Sequence, residues 1–326
     1  MKKGYPNERM SSLARIMVAL GGFGALLVVA LRVWIVPAQR DIDTGLFTSN
    51  MLVIGLMLAL LAALGAVVFL MRDRSRREIV GSPALALSTV LLIVGGGMLL
   101  HGVVEVLARL DIVTFYSVTA PVVGEGTPLM QKILPWVQTI LSIGAGVAFV
   151  LCGLNVASEG GTRRGISKVG LLVPALWMWF ALANYMIAYV SMVRITEGFF
   201  TVAAYVMELL FLFRFASYMA GVGKHSVGSM LFFSCGAALF ALSAPLVRLL
   251  MHLLQDTEAA TAAGIAGPLD LAVGLLALTV SITLCQSLSA LPASEEEESI
   301  EWSGPEDVNP DVELIEEAED SGFIEE

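Results

Sequence analysis

Eight runs of apolar residues, each about twenty long, follow one another down this chain, with nearly all the polar positions gathered between them. They lie at roughly 16–36, 51–71, 84–107, 133–157, 169–190, 199–220, 227–250 and 268–291. A helix needs about 20 apolar residues to cross ~30 Å of hydrocarbon. Strands of a membrane barrel would alternate in ~10-residue segments, whereas these runs are continuous. The pattern predicts an all-α polytopic membrane protein, a bundle of about eight transmembrane helices. Short connections make helices that are neighbours in sequence into antiparallel neighbours in space. The long exception, about 108–132, carries Pro121, Gly124, Gly126 and Pro128, which predict an irregular surface loop; a short interfacial helix is the alternative.

The basic positions orient the bundle. One set of ends carries Lys2, Lys3, Arg9, Arg15, Arg72, Arg74, Arg76, Arg77, Arg163, Arg164, Lys168, Arg214 and Lys224. The other carries only Arg32, Arg40, Arg109, Lys132, Arg194 and Arg248. Basic loops stay in the cytoplasm, so the expectation is a multi-pass protein of the cell membrane with both termini cytoplasmic. The apolar run after the basic N-terminus exceeds the ~7–15 residues of a signal-peptide core, so it reads as the first span.

Composition sharpens this. Of 326 residues 57% are hydrophobic, and the mean hydropathy is +0.81, against ~45–50% apolar in soluble domains. The net charge of −10 is misleading. Fifteen acidic residues and no basic ones lie between Glu295 and Glu326, leaving 14 acidic against 19 basic in the remainder. The chain thus divides into a basic cytoplasmic N-terminus (1–15), a transmembrane domain (16–291) and an acidic tail (292–326). Pro305, Pro310 and the charge density predict a disordered tail, whose segment from Asp311 to Glu317 suits a short amphipathic helix on a cytoplasmic protein partner. Such acidity argues against nucleic acid. Cys152, Cys235 and Cys285 are odd in number and lie in apolar runs, so they read as small core residues.

The halves 16–157 and 169–291 are candidate parallel repeats of four helices each. The segment from Ile42 to Thr48 and that from Ile195 to Thr201 both read I-x-x-G-[LF]-F-T, and Val-Gly-Ser recurs at Val80 and Val227. Such repeats would be related by an axis along the membrane normal.

Ionisable groups within spans cost ~2.5–3.5 kcal/mol at a helix centre, so they mark the candidate sites. His101, Glu105 and Arg109 recur every fourth residue on one face of the third span. Arg248 and His252 share that spacing on the seventh, and the repeat would set the two faces opposite each other. Asp270 and Arg32 lie at similar depth. These groups suggest an outward-facing polar site; interfacial pairing and snorkelling are the plainer alternative. His101, Glu105 and His252 are residue types that bind zinc, but spacing alone does not make a site, and neither metal nor cofactor is expected. Glu208 lies near the middle of the sixth span, beyond the reach of snorkelling. Tyr205 shares its face, and Asn184 and Tyr185 fall at similar depth on the fifth. Glu208 reads either as a proton- or cation-binding carboxylate or as a hydrogen-bonded packing device. Gly55, Ala59 and Ala63 form a small-residue stripe suited to close helix packing, Trp177 and Trp179 read as interior, and Trp34 and Trp136 read as belt residues.

No phosphate-binding loop, metalloprotease helix or nucleophile elbow occurs; Gly221-Val222-Gly223-Lys224-His225 lacks the loop's spacing. The expected function is therefore that of a secondary transporter or permease-like protein. A non-transporting scaffold, sensor or assembly factor working through the acidic tail is the alternative, and an intramembrane enzyme a distant third.

Overall fold

A computed structural model describes residues 6–38, 51–71, 85–110, 112, 128–157, 169–189, 195–220, 227–254 and 267–290. Within them lie eight α-helices and no strand: α1 (Pro6–Ala38), α2 (Met51–Met71), α3 (Leu85–Arg109), α4 (Pro128–Ala157), α5 (Val173–Tyr189), α6 (Ile195–Met219), α7 (Val227–Leu253) and α8 (Pro268–Ala290). The protein is a helical polytopic membrane bundle. The inter-span motifs from Ile42 to Thr48 and from Val80 to Ser82, most of the inner basic loops and the acidic tail fall outside the described residues.

The helix starts follow local chemistry. Pro6, Pro128 and Pro268 occupy first helical positions, where a missing N–H costs nothing and the fixed φ suits a helix. Seven helices are long and apolar enough to cross a membrane; α5, at 17 residues, is shorter. A 3₁₀ turn at Gly170–Leu172 leads directly into α5. A 3₁₀ turn rises ~2.0 Å per residue against ~1.5 Å in an α-helix, so the continuous segment measures about 31 Å, enough for the hydrocarbon layer.

The core is built on α7, which packs against α1, α2, α6 and α8. Its most apolar stretch is 83% buried, against 17% for that of α2. A helix buried on every side must be apolar or small on every side. Between Ser234 and Ala244, α7 offers Ser234, Cys235, Gly236, Ala237, Ala238, Ala241, Ser243 and Ala244, all buried. Small side chains let neighbouring backbones come close. The Ser281 hydroxyl of α8 lies 2.8 Å from that of Ser234, tying the two helices with a buried polar contact.

The α3–α4 hairpin packs more tightly still. Ser88, Gly95 and Gly102 repeat every seventh residue on α3, and Thr139, Gly146 and Gly153 do so on α4. A seven-residue repeat keeps one seam of each helix facing the other. A Cβ on Gly95 would stand 2.8 Å from the Gly146 carbonyl oxygen. The Ser88 hydroxyl donates to the Gly153 carbonyl at 2.9 Å. The sequence reading assigned close packing to Gly55, Ala59 and Ala63 instead. Gly55 and Ala59 are exposed, and a Cβ on Gly55 would meet nothing within 4 Å. That stripe faces outward because α2 is anchored by its other side, where Val53, Met57 and Leu64 are buried.

The two halves have different neighbours. The main partners of α6 are α5 and α7, whereas those of α2 are α1 and α7, and α3 packs on α4 and α8. Trp177 is interior as expected, but Trp179 is 51% exposed, because residues two apart on a helix point in different directions. Trp34 and Trp136 are exposed, as belt residues would be.

Candidate functional site

The buried residues of α6 are Phe200, Thr201, Ala204, Met207, Glu208, Phe211, Leu212, Phe215 and Ala216. They recur at intervals of one, three and four, a single stripe of helical period. Glu208 lies in the middle of that stripe. The helix cannot turn Glu208 outward without turning the seven apolar side chains of the stripe out with it. The carboxyl is accordingly fully buried, and both its oxygens lack a hydrogen-bond partner among the described residues.

Three further polar side chains lie around it. Tyr205, one turn before Glu208, meets Tyr185 of α5 edge to face, with ring centroids 5.8 Å apart. Asp270 of α8 is near enough for its charge to act on both Glu208 and Tyr205. Asp270 is itself buried, and its Oδ2 accepts the backbone N–H of Gly267 at 2.7 Å. Here the third residue of a helix reaches back to the N–H just before the helix start, the return half of a capping box. Asp270 therefore has a structural task at the start of α8 and places a second carboxyl in the same polar region as Glu208. Arg32 of α1 is fully buried, its guanidinium 4.8 Å from the centre of the Phe200 ring, a cation–π arrangement.

The other sequence candidates fall elsewhere. On α3, Arg109 donates to the Glu105 carboxylate, and His101 Nε2 lies 3.8 Å from the other Glu105 oxygen. Arg109 also stacks 5.7 Å from the Trp136 ring of α4. These side chains are a quarter to a third exposed, and His101 Nδ1 and Arg109 Nε are buried without a hydrogen-bond partner among the described residues. On α7, His252 is exposed and Arg248 half-buried. The expected pairing of the α3 face with the α7 face does not form: α3 packs on α4 and α8, whereas α7 packs on α1, α2, α6 and α8. The reason is packing. The glycine seam commits α3 to α4, and α8 lies alongside both α3 and α7. Among the described residues no three His, Cys, Asp or Glu side chains converge on a point where a metal could sit.

Asn184 was grouped with Glu208 by depth. Its Nδ2 donates instead to Gln138 Oε1 of α4 at 2.9 Å. Counting residues gave its height but not its azimuth, whereas neighbouring Tyr185 does point toward α6. The expected outward-facing group is thus divided: a partly exposed ladder stays on α3, while Asp270 joins Glu208, Tyr185 and the half-buried Tyr205 inside the bundle.

Comparison with known proteins gives no matching family, no similar curated protein and no similar solved structure.

Proposed function

We propose that this chain is a secondary-transporter or permease-like membrane protein whose operative group is Glu208, with Asp270 and Tyr205 beside it. One observation carries the reading: a carboxyl at mid-span, fully buried, has no hydrogen-bond partner among the described residues and a second carboxyl nearby. Intramembrane ionisable groups are expensive and face the bundle interior where they serve proton or ion pathways. A carboxyl in such a place holds a proton or a cation, and exchanging one for the other is the elementary step of ion-coupled transport. In this reading both termini are cytoplasmic, as the basic residues indicate, and the buried cluster is an occluded site.

The test uses an apolar carbodiimide, which enters bilayers and modifies protonated carboxyls there. In proteoliposomes the expected result is a single adduct at Glu208 by peptide mass spectrometry. It should be absent in Glu208→Gln and suppressed by raising pH or adding sodium ions. Labelling insensitive to both proton and cation concentration would overturn the reading.

A second reading, a non-transporting scaffold or assembly factor, is favoured by the solid packing around α7. It assigns the work to residues 292–326. Deleting everything after Leu291 separates the two. A scaffold loses its co-purifying partners, whereas a transporter keeps its ion-sensitive labelling at Glu208.

A further inference from the structure

A groove of about 670 Å³ runs between α1, α7 and α8, and none of Tyr185, Tyr205, Glu208 or Asp270 lines it. Its walls are apolar almost throughout: Gly22, Phe23 and Leu26 from α1, Leu246 from α7, and Leu275 and Ile282 from α8. Phe23, Leu26, Leu275 and Ile282 are each at least two-fifths exposed, so the groove opens to the side rather than into the core. One end differs. There Arg15 and Gln286 line the groove, and Arg15 Nη2 donates to the Ser289 hydroxyl at 3.4 Å.

Length identifies the occupant. From Arg15 to Leu26 is eleven residues of α1, about 17 Å at 1.5 Å per residue. Half of a ~30 Å hydrocarbon layer is about 15 Å. Along α8 the lining runs from Leu271 to Gln286, fifteen residues or about 22 Å, so the groove reaches from Arg15 at the headgroup end through at least one leaflet's depth, the reach of one extended acyl chain. Arg15 is exposed and carries its charge at that rim, and guanidinium groups favour phosphate, which they bind through paired N–H donors. We propose that the groove seats one acyl chain of an anionic phospholipid, whose phosphate engages Arg15 in the leaflet at the N-terminal end of α1.

The full-length protein, stripped of lipid in a mild detergent, is titrated with phosphatidylglycerol or phosphatidylcholine and bound lipid is counted by native mass spectrometry. The wild type should hold one phosphatidylglycerol per chain in preference to phosphatidylcholine. Arg15→Gln should lower that preference about fivefold, the effect of one basic residue near an anionic surface. A Cβ on Gly22 would have only Leu278 Cδ1 near it, at 3.7 Å, so Gly22→Leu fills the groove and should abolish the tight lipid. Ala19→Phe fills it from an exposed position one turn earlier and should do the same. Unchanged melting temperatures establish that the variants fold. Equal retention of both lipids by the wild type, or wild-type lipid counts in both groove-filling variants, would overturn the proposal. So would a wild-type dimer that Gly22→Leu dissolves, which would assign the groove to a second copy of the chain.

Discussion

Three glycines stand in a row at 95–97, and the structure gives them opposite fates. A Cβ on Gly95 would lie 2.8 Å from the Gly146 carbonyl oxygen, 2.8 Å from the Val150 nitrogen and 2.9 Å from Val150 Cγ2. On Gly96 or Gly97 it would meet nothing within 4 Å. Replacing each by alanine therefore makes the same chemical change in two environments. The gain in helix propensity, up to ~1 kcal/mol, is common to both and cancels in the comparison. Favourable contacts begin near 3.5 Å, so at position 95 the α4 backbone must retreat by about 0.7 Å. Two of the three obstructing atoms are backbone and cannot rotate aside. Forcing an extra carbon into a packed core costs ~1–3 kcal/mol, and separating the helices also stretches the Ser88–Gly153 hydrogen bond, an interaction of ~0.6 kcal/mol on average between membrane helices. Taking ~2 kcal/mol as the middle value and ~2–4 °C per kcal/mol for a chain of this order, Gly95→Ala should melt about 4–8 °C below Gly96→Ala. The assay is the loss of the monodisperse peak on fluorescence-detected size exclusion after heating, at one scan rate because such unfolding is often irreversible. Equal midpoints for the two variants would refute the glycine seam.

Other substitutions probe the polar groups. Glu208→Leu removes a buried carboxyl without a partner among the described residues and keeps comparable volume, so the melting midpoint should hold or rise while the carbodiimide adduct disappears; a fall of several degrees would reveal a structural partner for Glu208. Asp270→Asn keeps the acceptor for the Gly267 N–H and should melt close to wild type, whereas Asp270→Ala should lose ~1 kcal/mol from the start of α8; equal loss in both would count against the capping contact. In a double-mutant cycle of Glu105→Gln with Arg109→Gln, the coupling should be below ~1 kcal/mol and shrink in high salt. A coupling of several kcal/mol would mean that the α3 ladder is desolvated in the membrane.

The spans were legible because hydrocarbon thickness imposes a length and lipid imposes composition, and both are one-dimensional properties. Every run placed from the sequence coincides with a helix, the largest difference being the ten further N-terminal residues of α1. Which helices touch was not legible. Polar and apolar faces reveal burial in water, but in lipid an apolar face is equally at home inside or outside. The stripe from Gly55 to Ala63 and the seam through Gly95 and Gly146 carry the same kind of signal, yet only the second is packed. A seven-residue spacing of small residues shared by two adjacent runs was the feature that distinguished them. Glu208 was found because its cost at mid-span is independent of neighbours. Its companionship with Asp270, and the diversion of Asn184 to Gln138, required the helix azimuths that only packing sets.

The position of α7 in the bundle bears on how the protein is made. The most deeply buried helix, held between four others, is the seventh of the eight described helices to leave the ribosome. α1 and α2 both lean on α7, yet nearly two hundred residues of chain separate the end of α1 from its start. At ~5–20 residues per second, α1 waits in the bilayer for about 10–40 s before its partner arrives. During that interval the face around Gly21, later pressed against Cys235, is covered by lipid or by another membrane protein. Assembly thus includes a late insertion into the middle, which α8 then closes against α1, α3 and α7, and a nascent chain halted before α7 holds helices with no centre to close upon.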